Sequence, residues 1–178
     1  MGSQVVSGKG SVVTIENTAE HLRERISIHC GENCSIHIEG LITCNTRLNI
    51  YAKDNAEIII GPDQLMNGNV AINMQESSKI SVGQGCLWAS CKLWSSDMHP
   101  IYDLSTGLRI NSAQDINIGS HVWFGADCLI LKGAQIPDGC VIGAMAVISA
   151  KTRAAPNSII VGNPARQVRE GIRWDLSF

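Results

Sequence analysis

The residue types that could do chemistry are concentrated in one stretch, residues 95–107. It contains His99, with Asp97 two positions before it, Pro100 directly after it and Asp103 four positions later. Histidine has an unperturbed pKa of about 6.5, so an imidazole here could exchange a proton near neutral pH. Loops on rigid scaffolds often carry such groups, although an exposed loop histidine is more often without a catalytic role. The elements on either side of this stretch must therefore decide between the two interpretations.

A six-residue repeat follows this stretch and indicates the fold. Apolar residues recur at every sixth position from Ile118 to Ile148, and four residues into each hexad lies a small or slim residue such as Val122 or Ala134. This period fits neither an α-helix nor a simple strand. It predicts a solenoid with three short faces per turn, in which stacked strands are parallel and about 4.8 Å apart.

The same signal extends upstream with a longer period. Ile28, Ile50 and Ile72 recur at equal intervals, each of which equals three hexads and a four-residue insertion. Ile38, Ile60 and Val82 recur at the same interval, and further steps of six residues from Val82 reach Trp88 and Trp94, which predicts that both point inward. The phase is then lost through residues 95–107 and returns by residues 116–118. Such an excursion is expected to be a loop that leaves the solenoid at a corner.

These patterns divide one domain, residues 1–178, into four consecutive parts. Pro164 and the charged residues after it fit the start of a short C-terminal helix. We expect about five turns of solenoid, which would stand about 24 Å tall. The predicted parts are irregular 22-residue coils over about 26–94, an active-site loop over about 95–109, regular hexad coils over about 112–153, and a tail with the helix over about 154–178.

Composition is consistent with a single soluble domain. The chain has 178 residues, 44% of them hydrophobic, and a net charge of −2, so charge gives no reason to expect a nucleic-acid partner. Residues 1–17 are polar and glycine-rich rather than a basic and apolar leader. The longest apolar run, residues 140–150, is too short to cross a bilayer. We expect a cytoplasmic protein without an integral membrane segment, which could work at the periphery of the inner membrane.

Seven cysteines are present, and this odd number favours reduced thiols over a disulfide framework. An alternative interpretation joins His29, Cys30, Cys34 and His37 into a zinc site. Cys34, however, is the repeat counterpart of Ala56 and should point into the core. We therefore predict no metal.

Several motifs occur together in an order that resembles a known family. They are Ser96-Asp97-Met98-His99, Arg109-Ile110-Asn111, Val122-Trp123-Phe124-Gly125, Ile142-Gly143-Ala144 and Gly162-Asn163-Pro164-Ala165-Arg166. The set resembles the hexapeptide-repeat acyltransferases, and it is most similar to bacterial O-acetyltransferases that modify capsule, lipopolysaccharide or other glycans. The resemblance covers about residues 82–174. It implies an all-β, single-stranded left-handed parallel β-helix, a homotrimer with active sites between subunits, and acetyl-CoA as the acetyl donor.

In this family the loop histidine is the general base, and His99 is the matching position. The resemblance implies that His99 takes the proton from an acceptor hydroxyl as that oxygen attacks the thioester carbonyl. Base catalysis of this kind contributes about 10² to 10⁴ in rate. Asp97 or Asp103 could orient the imidazole, and backbone carbonyls could do so instead. His121 is expected to be an exposed structural residue and is the reserve candidate for the base.

Aromatic residues are the candidates for contacts with the acceptor. Trp123 follows the inward Val122 and should point outward, where the resemblance implies that it lines the cleft at the acceptor and the thioester. Trp94 and Tyr102 are further candidates for substrate binding, because Trp88 and Trp94 could either reshape the core near the loop or offer an aromatic surface on which a sugar ring stacks.

Donor contacts also follow from the resemblance. Ala126, Ala144 and Ser149 match positions that line the groove for the pantetheine arm of CoA. Arg166 and Arg169 match positions at its phosphate end, where guanidinium groups suit phosphate oxygens.

The leading hypothesis is an acetyl-CoA-dependent O-acetyltransferase that acts on a saccharide hydroxyl. Alternatives are an N-acetyltransferase acting on an amino sugar, a zinc hydratase of the carbonic-anhydrase type, and a non-catalytic trimeric β-helix scaffold. The hydratase needs three clustered histidines, and the relevant half of the chain offers only His99 and His121. The scaffold leaves the histidine loop and the basic tail without an explanation.

Overall fold

The computed structural model describes residues 4–23, 25–45 and 47–177. Its strands stack into three sheets, A, B and C, that enclose one apolar core, and they form a left-handed parallel β-helix of about seven turns. This confirms the fold class expected from the repeat and from the family resemblance.

The strands of each sheet follow in the order of their turns. Sheet A contains β1 (Gln4–Ser7), β3 (Ile26–Cys30), β6 (Leu48–Ala52), β9 (Val70–Met74), β12 (Cys91–Trp94), β15 (Cys128–Leu131) and β18 (Val147–Ile148). Sheet B contains β2 (Val12–Glu16), β4 (Ser35–Glu39), β7 (Glu57–Ile60), β10 (Lys79–Val82), β13 (Ile116–Ile118) and β16 (Gln135–Ile136). Sheet C contains β5 (Leu41–Cys44), β8 (Gln64–Met66), β11 (Leu87–Trp88), β14 (Trp123–Phe124), β17 (Val141–Ile142), β19 (Ile159–Gly162) and β20 (Ala165–Arg169). The single short helix of the described residues is α1 (Glu20–Arg23).

Strand pairing explains the two periods of the sequence. Ile36 pairs with Ile58 at the longer period, whereas Phe124 pairs with Ile142, three hexads later. Between these regions Trp88 pairs with Phe124, which is six hexads, or two regular turns, further along. The insertion at residues 95–107 and its flanks therefore adds one turn's length of chain without adding a turn. The paired residues are all buried, so the core continues uninterrupted past the insertion.

The first turn was not predicted from the sequence. Val5 of β1 pairs with Ile28, and Val13 of β2 pairs with Ile36. Both spacings are one residue longer than the upstream period, so the residues do not fall on the inward positions counted back from Ile28. The solenoid is therefore longer than the expected five turns.

Trp94 differs from the sequence prediction, which placed it in the core. Ile72 pairs with Leu93, one residue earlier than the upstream period predicts, because the corner before β12 is one residue shorter than its counterpart in the turn above. Leu93 consequently occupies the inward position and is fully buried, while Trp94 points outward and is half-buried. The same one-residue shift in strand register places Lys92, which interrupts the apolar pattern, on the outer face.

The predicted C-terminal helix is wrong. Residues 165–169 form β20, which runs antiparallel to β19 and pairs Gly162 with Ala165 and Val161 with Arg166. Gly162 has a φ of +100°, which suits a tight reversal of the chain. The last strand of sheet C would otherwise present unpaired backbone groups, and β20 covers that edge.

In the core beside the loop, a buried tryptophan contacts both an aromatic ring and a buried polar side chain. Trp88 stacks on Phe124 with ring centroids 4.2 Å apart, and its indole N–H donates a 2.8 Å hydrogen bond to Oε1 of Gln64. Gln64 is fully buried, and its amide nitrogen donates to three backbone carbonyls, including that of Gly83 at 2.8 Å. The polar residue that interrupts the apolar pattern at position 64 therefore satisfies the buried indole.

All seven cysteines are free and buried, including Cys30 and Cys91. Burial raises the pKa of the Cys86 and Cys128 thiols to about 11, which keeps them protonated. The proposed zinc ligands do not converge, because Cys30 points inward while the His29 ring lies outside and stacks on Tyr51. Over residues 4–23, 25–45 and 47–177, no group of three or more potential ligands could hold a metal ion. Over the same residues, no helix is long and apolar enough to cross a membrane.

Candidate active site

The loop that contains His99 leaves the solenoid at the corner between sheets A and B, after β12, and rejoins it before β13. Its two halves run side by side. The amide of Ile110 donates to the carbonyl of Ile101 at 2.9 Å, and the amide of Asp103 donates to the carbonyl of Leu108 at 2.9 Å. An antiparallel bridge joins Tyr102 to Arg109. The loop is thus a narrow hairpin rather than an irregular chain.

Asp103 stabilises the tip of this hairpin. Its Oδ1 accepts hydrogen bonds from the amide and hydroxyl of Ser105, at 2.9 and 2.5 Å, and from the amide and hydroxyl of Thr106, at 2.9 and 3.0 Å. These donors, the Ser105 hydroxyl first, lower the pKa of Asp103 to about 2. Of the two aspartates proposed from the sequence, Asp103 is therefore committed to the turn.

Asp97 lies at the base of the hairpin and is held by a lysine from the following turn. Nζ of Lys132 lies 2.6 Å from Oδ2 of Asp97 and also donates to the carbonyls of Asn111 and Ser112, at 2.9 and 3.2 Å. The hydrogen bond from Lys132 is the main cause that lowers the pKa of Asp97. Asp97 is thus ionised at neutral pH and positioned against the solenoid.

Asn111 joins the two halves of the hairpin where it leaves the solenoid, next to His99. Its side-chain amide is buried and donates to the carbonyl of His99 at 2.8 Å and to Asp97 at 3.1 Å. Its Oδ1 accepts a 2.7 Å hydrogen bond from the amide of Ile101. The backbone is therefore fixed at the carbonyl of His99 and at the amide that follows Pro100.

A second ion pair attaches the returning half of the hairpin to the preceding turn. Nη1 of Arg109 lies 2.6 Å from Oε2 of Glu76, and Nη2 lies 2.7 Å from Oε1. This two-point contact is the geometry in which guanidinium and carboxylate groups bind most specifically. The hairpin is thus anchored on the turn before it by Arg109 and on the turn after it by Lys132.

The His99 side chain itself is exposed on this anchored hairpin. Within the described part of the chain, no side chain hydrogen-bonds to its ring, since Asp97 is engaged by Lys132 and Asn111. The local structure therefore fixes the backbone of His99 and leaves its side chain exposed.

Trp123 points outward from sheet C, as predicted, with 39% of its surface exposed. Its ring lies 6.0 Å from that of Trp174, which returns from the C-terminal tail. Trp174 also stacks on His121 with ring centroids 3.9 Å apart and an interplanar angle of 5°. The indole N–H of Trp174 donates to the carbonyl of His121 at 2.9 Å. His121 thus anchors the tail, which agrees with a structural rather than a catalytic role.

The candidate donor residues lie on two different corners. Ala126 and Ala144 are exposed in successive turns at the corner between sheets C and A, and the amide of Met145 donates to the carbonyl of Ala126 at 2.8 Å. A groove of about 410 Å³ lies beside them, and its lining includes Trp94 and Met145. Ser149 is on the next corner, between sheets A and B, where it lines a shallow groove that also includes Asp97 and Lys132.

The remaining candidates lie elsewhere on the surface. Arg166 and Arg169 are exposed on β20, at the edge of sheet C, and Tyr102 is 57% exposed in the hairpin. One chain therefore brings together Asp97, Ser149 and the base of the loop, but it does not bring His99 and the exposed alanines to the same corner.

Three residues that contribute to this arrangement were missed as site residues from the sequence: Lys132, Asn111 and Trp174. Asn111 was noted only as part of a motif. Lys132 is far from Asp97 along the chain, and no spacing rule connects the two before the length of the insertion is known. Trp174 lies in the tail that was predicted to be helical.

Comparisons with known proteins agree with this architecture. The family described as bacterial transferase hexapeptide (six repeats) matches residues 115–150. The polysialic acid O-acetyltransferase of Neisseria meningitidis is 35% identical over 121 residues, which cover 60% of this chain and 56% of that protein. The polysialic acid O-acetyltransferase of Escherichia coli O1:K1 / APEC is 29% identical over 127 residues, which cover 70% of this chain and 40% of that protein. The chain thus spans about half the length of the curated relatives it matches.

Two solved structures are similar over nearly the whole chain. The polysialic acid O-acetyltransferase OatWY aligns with a TM-score of 0.62 and 29% identity, covering 98% of this chain and 93% of the other. The polySia-specific acetyltransferase NeuO aligns with a TM-score of 0.74 and 25% identity, covering 99% and 83%. With its six-residue repeat, its parallel β-helix and these relatives, the chain is similar to hexapeptide-repeat acetyltransferases.

Proposed function

We propose that this protein is an acetyl-CoA-dependent O-acetyltransferase that acts on a saccharide hydroxyl and uses His99 as its general base. The observation that carries the proposal is the anchored hairpin, which fixes the backbone at His99 and directly after Pro100 while the imidazole stays exposed. Two of its relatives are polysialic acid O-acetyltransferases, which makes polysialic acid the first acceptor to test.

The proposed reaction needs only one proton carrier on the protein. A ring nitrogen of His99 takes the proton of the acceptor hydroxyl while the oxygen forms a bond to the thioester carbonyl carbon. The resulting tetrahedral intermediate collapses by cleavage of the carbon–sulfur bond, and the CoA thiolate leaves and receives a proton. An O-acetyl ester and CoA are the products. An imidazole that is neutral at the working pH suits this role.

The corner of Ala126 and Ala144 supports the assignment of the donor groove. Both side chains are small and exposed, so an extended pantetheine arm can lie close to the backbone of two successive turns. A Cβ added at Gly125 would lie 2.7 Å from the amide nitrogen of Ala144, so this corner tolerates no larger residue there. Arg166 and Arg169 provide exposed guanidinium groups for the phosphates of CoA.

The loop supports assembly into a homotrimer. Ile101, Leu104, Leu108 and Ile110 are each more than half exposed on the hairpin, and Leu104 is fully exposed. Apolar surface of this kind is costly in water and is typical of a subunit contact. We infer that the hairpin packs on a neighbouring copy and carries His99 to that copy's Ala126–Ala144 corner. The seven buried free thiols fit a reducing compartment, so we place the protein in the cytoplasm.

The experiment that tests the proposal compares acetyl transfer by the wild-type protein and by His99→Ala. The donor is radiolabelled acetyl-CoA, and the acceptors are polysialic acid, neutral polysaccharides and amino sugars. We expect ester formation on polysialic acid that falls by about 10² to 10⁴ in His99→Ala, with unchanged binding of CoA and an unchanged trimer mass. His37→Ala is the matched control, because His37 lies on sheet B away from the loop. Normal turnover by His99→Ala would reject this base, and an amide product would favour the N-acetyltransferase alternative.

A further inference from the structure

The outer face of sheet A carries an ordered row of polar and aromatic side chains that the proposed chemistry does not use. The row consists of His29, Tyr51, Asn73 and Trp94, one from each of the strands β3, β6, β9 and β12, with Asn49 and Lys92 beside it on β6 and β12. We refer to these six residues as the sheet A ladder. Most of them line a shallow groove of about 330 Å³.

Strand register sets the spacing within the ladder. His29 pairs with Tyr51, Tyr51 with Asn73, and Asn73 with Trp94, so successive side chains are about 4.8 Å apart along the axis of the solenoid. The His29 and Tyr51 rings are stacked with centroids 5.4 Å apart and an interplanar angle of 4°. The row is therefore about 14 Å long, which suits an extended chain rather than a single small molecule.

In the described part of the chain, the outward side chains of the other two sheets differ from the ladder. On sheet B several outward polar groups bind one another, as in the 2.8 Å ion pair of Lys79 with Glu57 and the 2.6 Å hydrogen bond of Ser81 to Asn117. On sheet C the outward side chains are mainly apolar, as at Leu87. Among the described residues, by contrast, no side chain pairs with Lys92 or hydrogen-bonds to Asn49, and both are exposed.

The chemistry of the ladder favours an acidic saccharide chain. Aromatic rings offer flat apolar surface to the faces of sugar rings, while amide groups can both donate to and accept from hydroxyls. Lys92 supplies a positive charge, and none of the outward residues on β3, β6, β9 and β12 is acidic. A neutral glycan would leave the Lys92 ammonium without a partner, whereas a carboxylate on the sugar would provide one.

The ladder is continuous with the candidate active site. Lys92 and Trp94 line the ladder groove and also the groove beside Ala126 and Ala144. We propose that the sheet A ladder is a distal acceptor subsite that binds several residues of an acidic polysaccharide along the solenoid axis. This inference rests on the proposed acetyltransferase function. It predicts that the outer face of sheet A makes the enzyme prefer acceptors that are long and negatively charged.

Kinetics with acceptors of different length test the subsite. The probes are long polysialic acid, a two-residue fragment of it, and dextran as a neutral polysaccharide. Tyr51→Ala removes one ring from an exposed position and should leave the solenoid intact. We expect KM for the long acceptor to rise roughly tenfold in Tyr51→Ala, the effect of one lost aromatic contact. The value of kcat, the KM for acetyl-CoA and activity on the fragment should not change. His37→Ala, an outward substitution on sheet B, is the matched control.

Direct binding separates this inference from the proposed function. In the His99→Ala background, long polysialic acid should bind, dextran should not, and Lys92→Met should weaken binding and its dependence on salt, while Lys53→Met at an exposed corner should not. Ladder-dependent binding without any acetyl transfer by the wild type would overturn the proposed function and support the subsite. Acetyl transfer with the same KM for long and short acceptors, or with Tyr51→Ala unchanged, would overturn the subsite and leave the proposed function intact.

Discussion

Replacing Lys132 with methionine should loosen the hairpin that carries His99. In the native protein Nζ of Lys132 contacts Asp97 at 2.6 Å and the carbonyls of Asn111 and Ser112 at 2.9 and 3.2 Å. Methionine retains the apolar stem but has no donor, so all three contacts are lost together.

The size of the effect follows from the exposure of the partners. A hydrogen bond to a charged group contributes about 1.5–3 kcal/mol where water cannot replace it. The Lys132 side chain is 18% exposed and that of Asp97 is 39% exposed, so water recovers much of the loss. We therefore expect about 2 kcal/mol for the three contacts together. That free energy corresponds to roughly a 30-fold change in the equilibrium for opening the hairpin.

Amide hydrogen exchange measures this opening directly. The amides of Asp103 and Ile110, which are bonded across the hairpin, should exchange roughly 30-fold faster in Lys132→Met. Amides of the core strands should be unchanged, and kcat/KM should fall because His99 is less often in position. Lys151→Met is the matched control, since Lys151 is exposed and lines the same groove. Equal exchange at Asp103 and Ile110 in wild type and Lys132→Met would refute the anchoring role of Lys132.

The same contact makes the hairpin sensitive to acid. Hydrogen bonding from Lys132 lowers the pKa of Asp97 below its ordinary value of 3.8. Because the native pKa is depressed, the stabilisation by ionised Asp97 is fully present above that ordinary value and is lost as the pH falls through the native one. Exchange in the hairpin should therefore be independent of this group near neutrality and should lose its protection only in strongly acidic solution.

Two further predictions concern stability. Trp88→Phe leaves Oε1 of Gln64 without its donor and should lower the free energy of unfolding by about 3 kcal/mol, or Tm by about 6–12 °C. Trp94→Phe, on the outer face, should lower the free energy of unfolding by less than about 1 kcal/mol. Thermal denaturation of the two variants checks this, and equal shifts in Tm would contradict it. Trp174→Ala removes the stack on His121 and should release the C-terminal tail. Trypsin should then cleave the tail faster than in wild type or in Leu176→Ala, a control at an exposed position. An unchanged cleavage rate would contradict the anchoring of the tail by Trp174.

The regular half of the solenoid could be predicted because each of its turns has the same number of residues. With three hexads per turn, each inward position recurs every sixth residue, as from Ile118 to Ile148, and all of these side chains are buried. In the irregular half the corners vary by one residue without disturbing the sheets. The spacing is one residue longer than the upstream period from Val5 to Ile28 and one residue shorter from Ile72 to Leu93. A period counted along the sequence cannot detect such changes, which is why the first turn was missed and Trp94 was placed on the wrong side.

The candidate site could be predicted only in part for a related reason. The loop was identified because it interrupts the period, but its interactions are made with neighbouring turns, as in the pair of Asp97 with Lys132. The roles of the two aspartates could have been distinguished earlier. An aspartate followed two and three residues later by serine and threonine favours a turn in which the carboxylate accepts from both, and this is the arrangement of Asp103.

The division of the candidate residues among corners has a consequence for catalysis. Sheet A separates the corner that projects His99 from the corner with Ala126 and Ala144, and the rigid stacking of β12 on β15 prevents one chain from closing that gap. The hairpin, moreover, is anchored to its own solenoid by Arg109 and Lys132, and its apolar side chains, such as Leu104, are exposed. Proximity of the base to the thioester is needed for transfer. With the proposed function, we therefore infer that the monomer lacks a complete site: variants that disrupt the proposed trimer through Leu104 should lose acetyl transfer while the fold of each subunit persists.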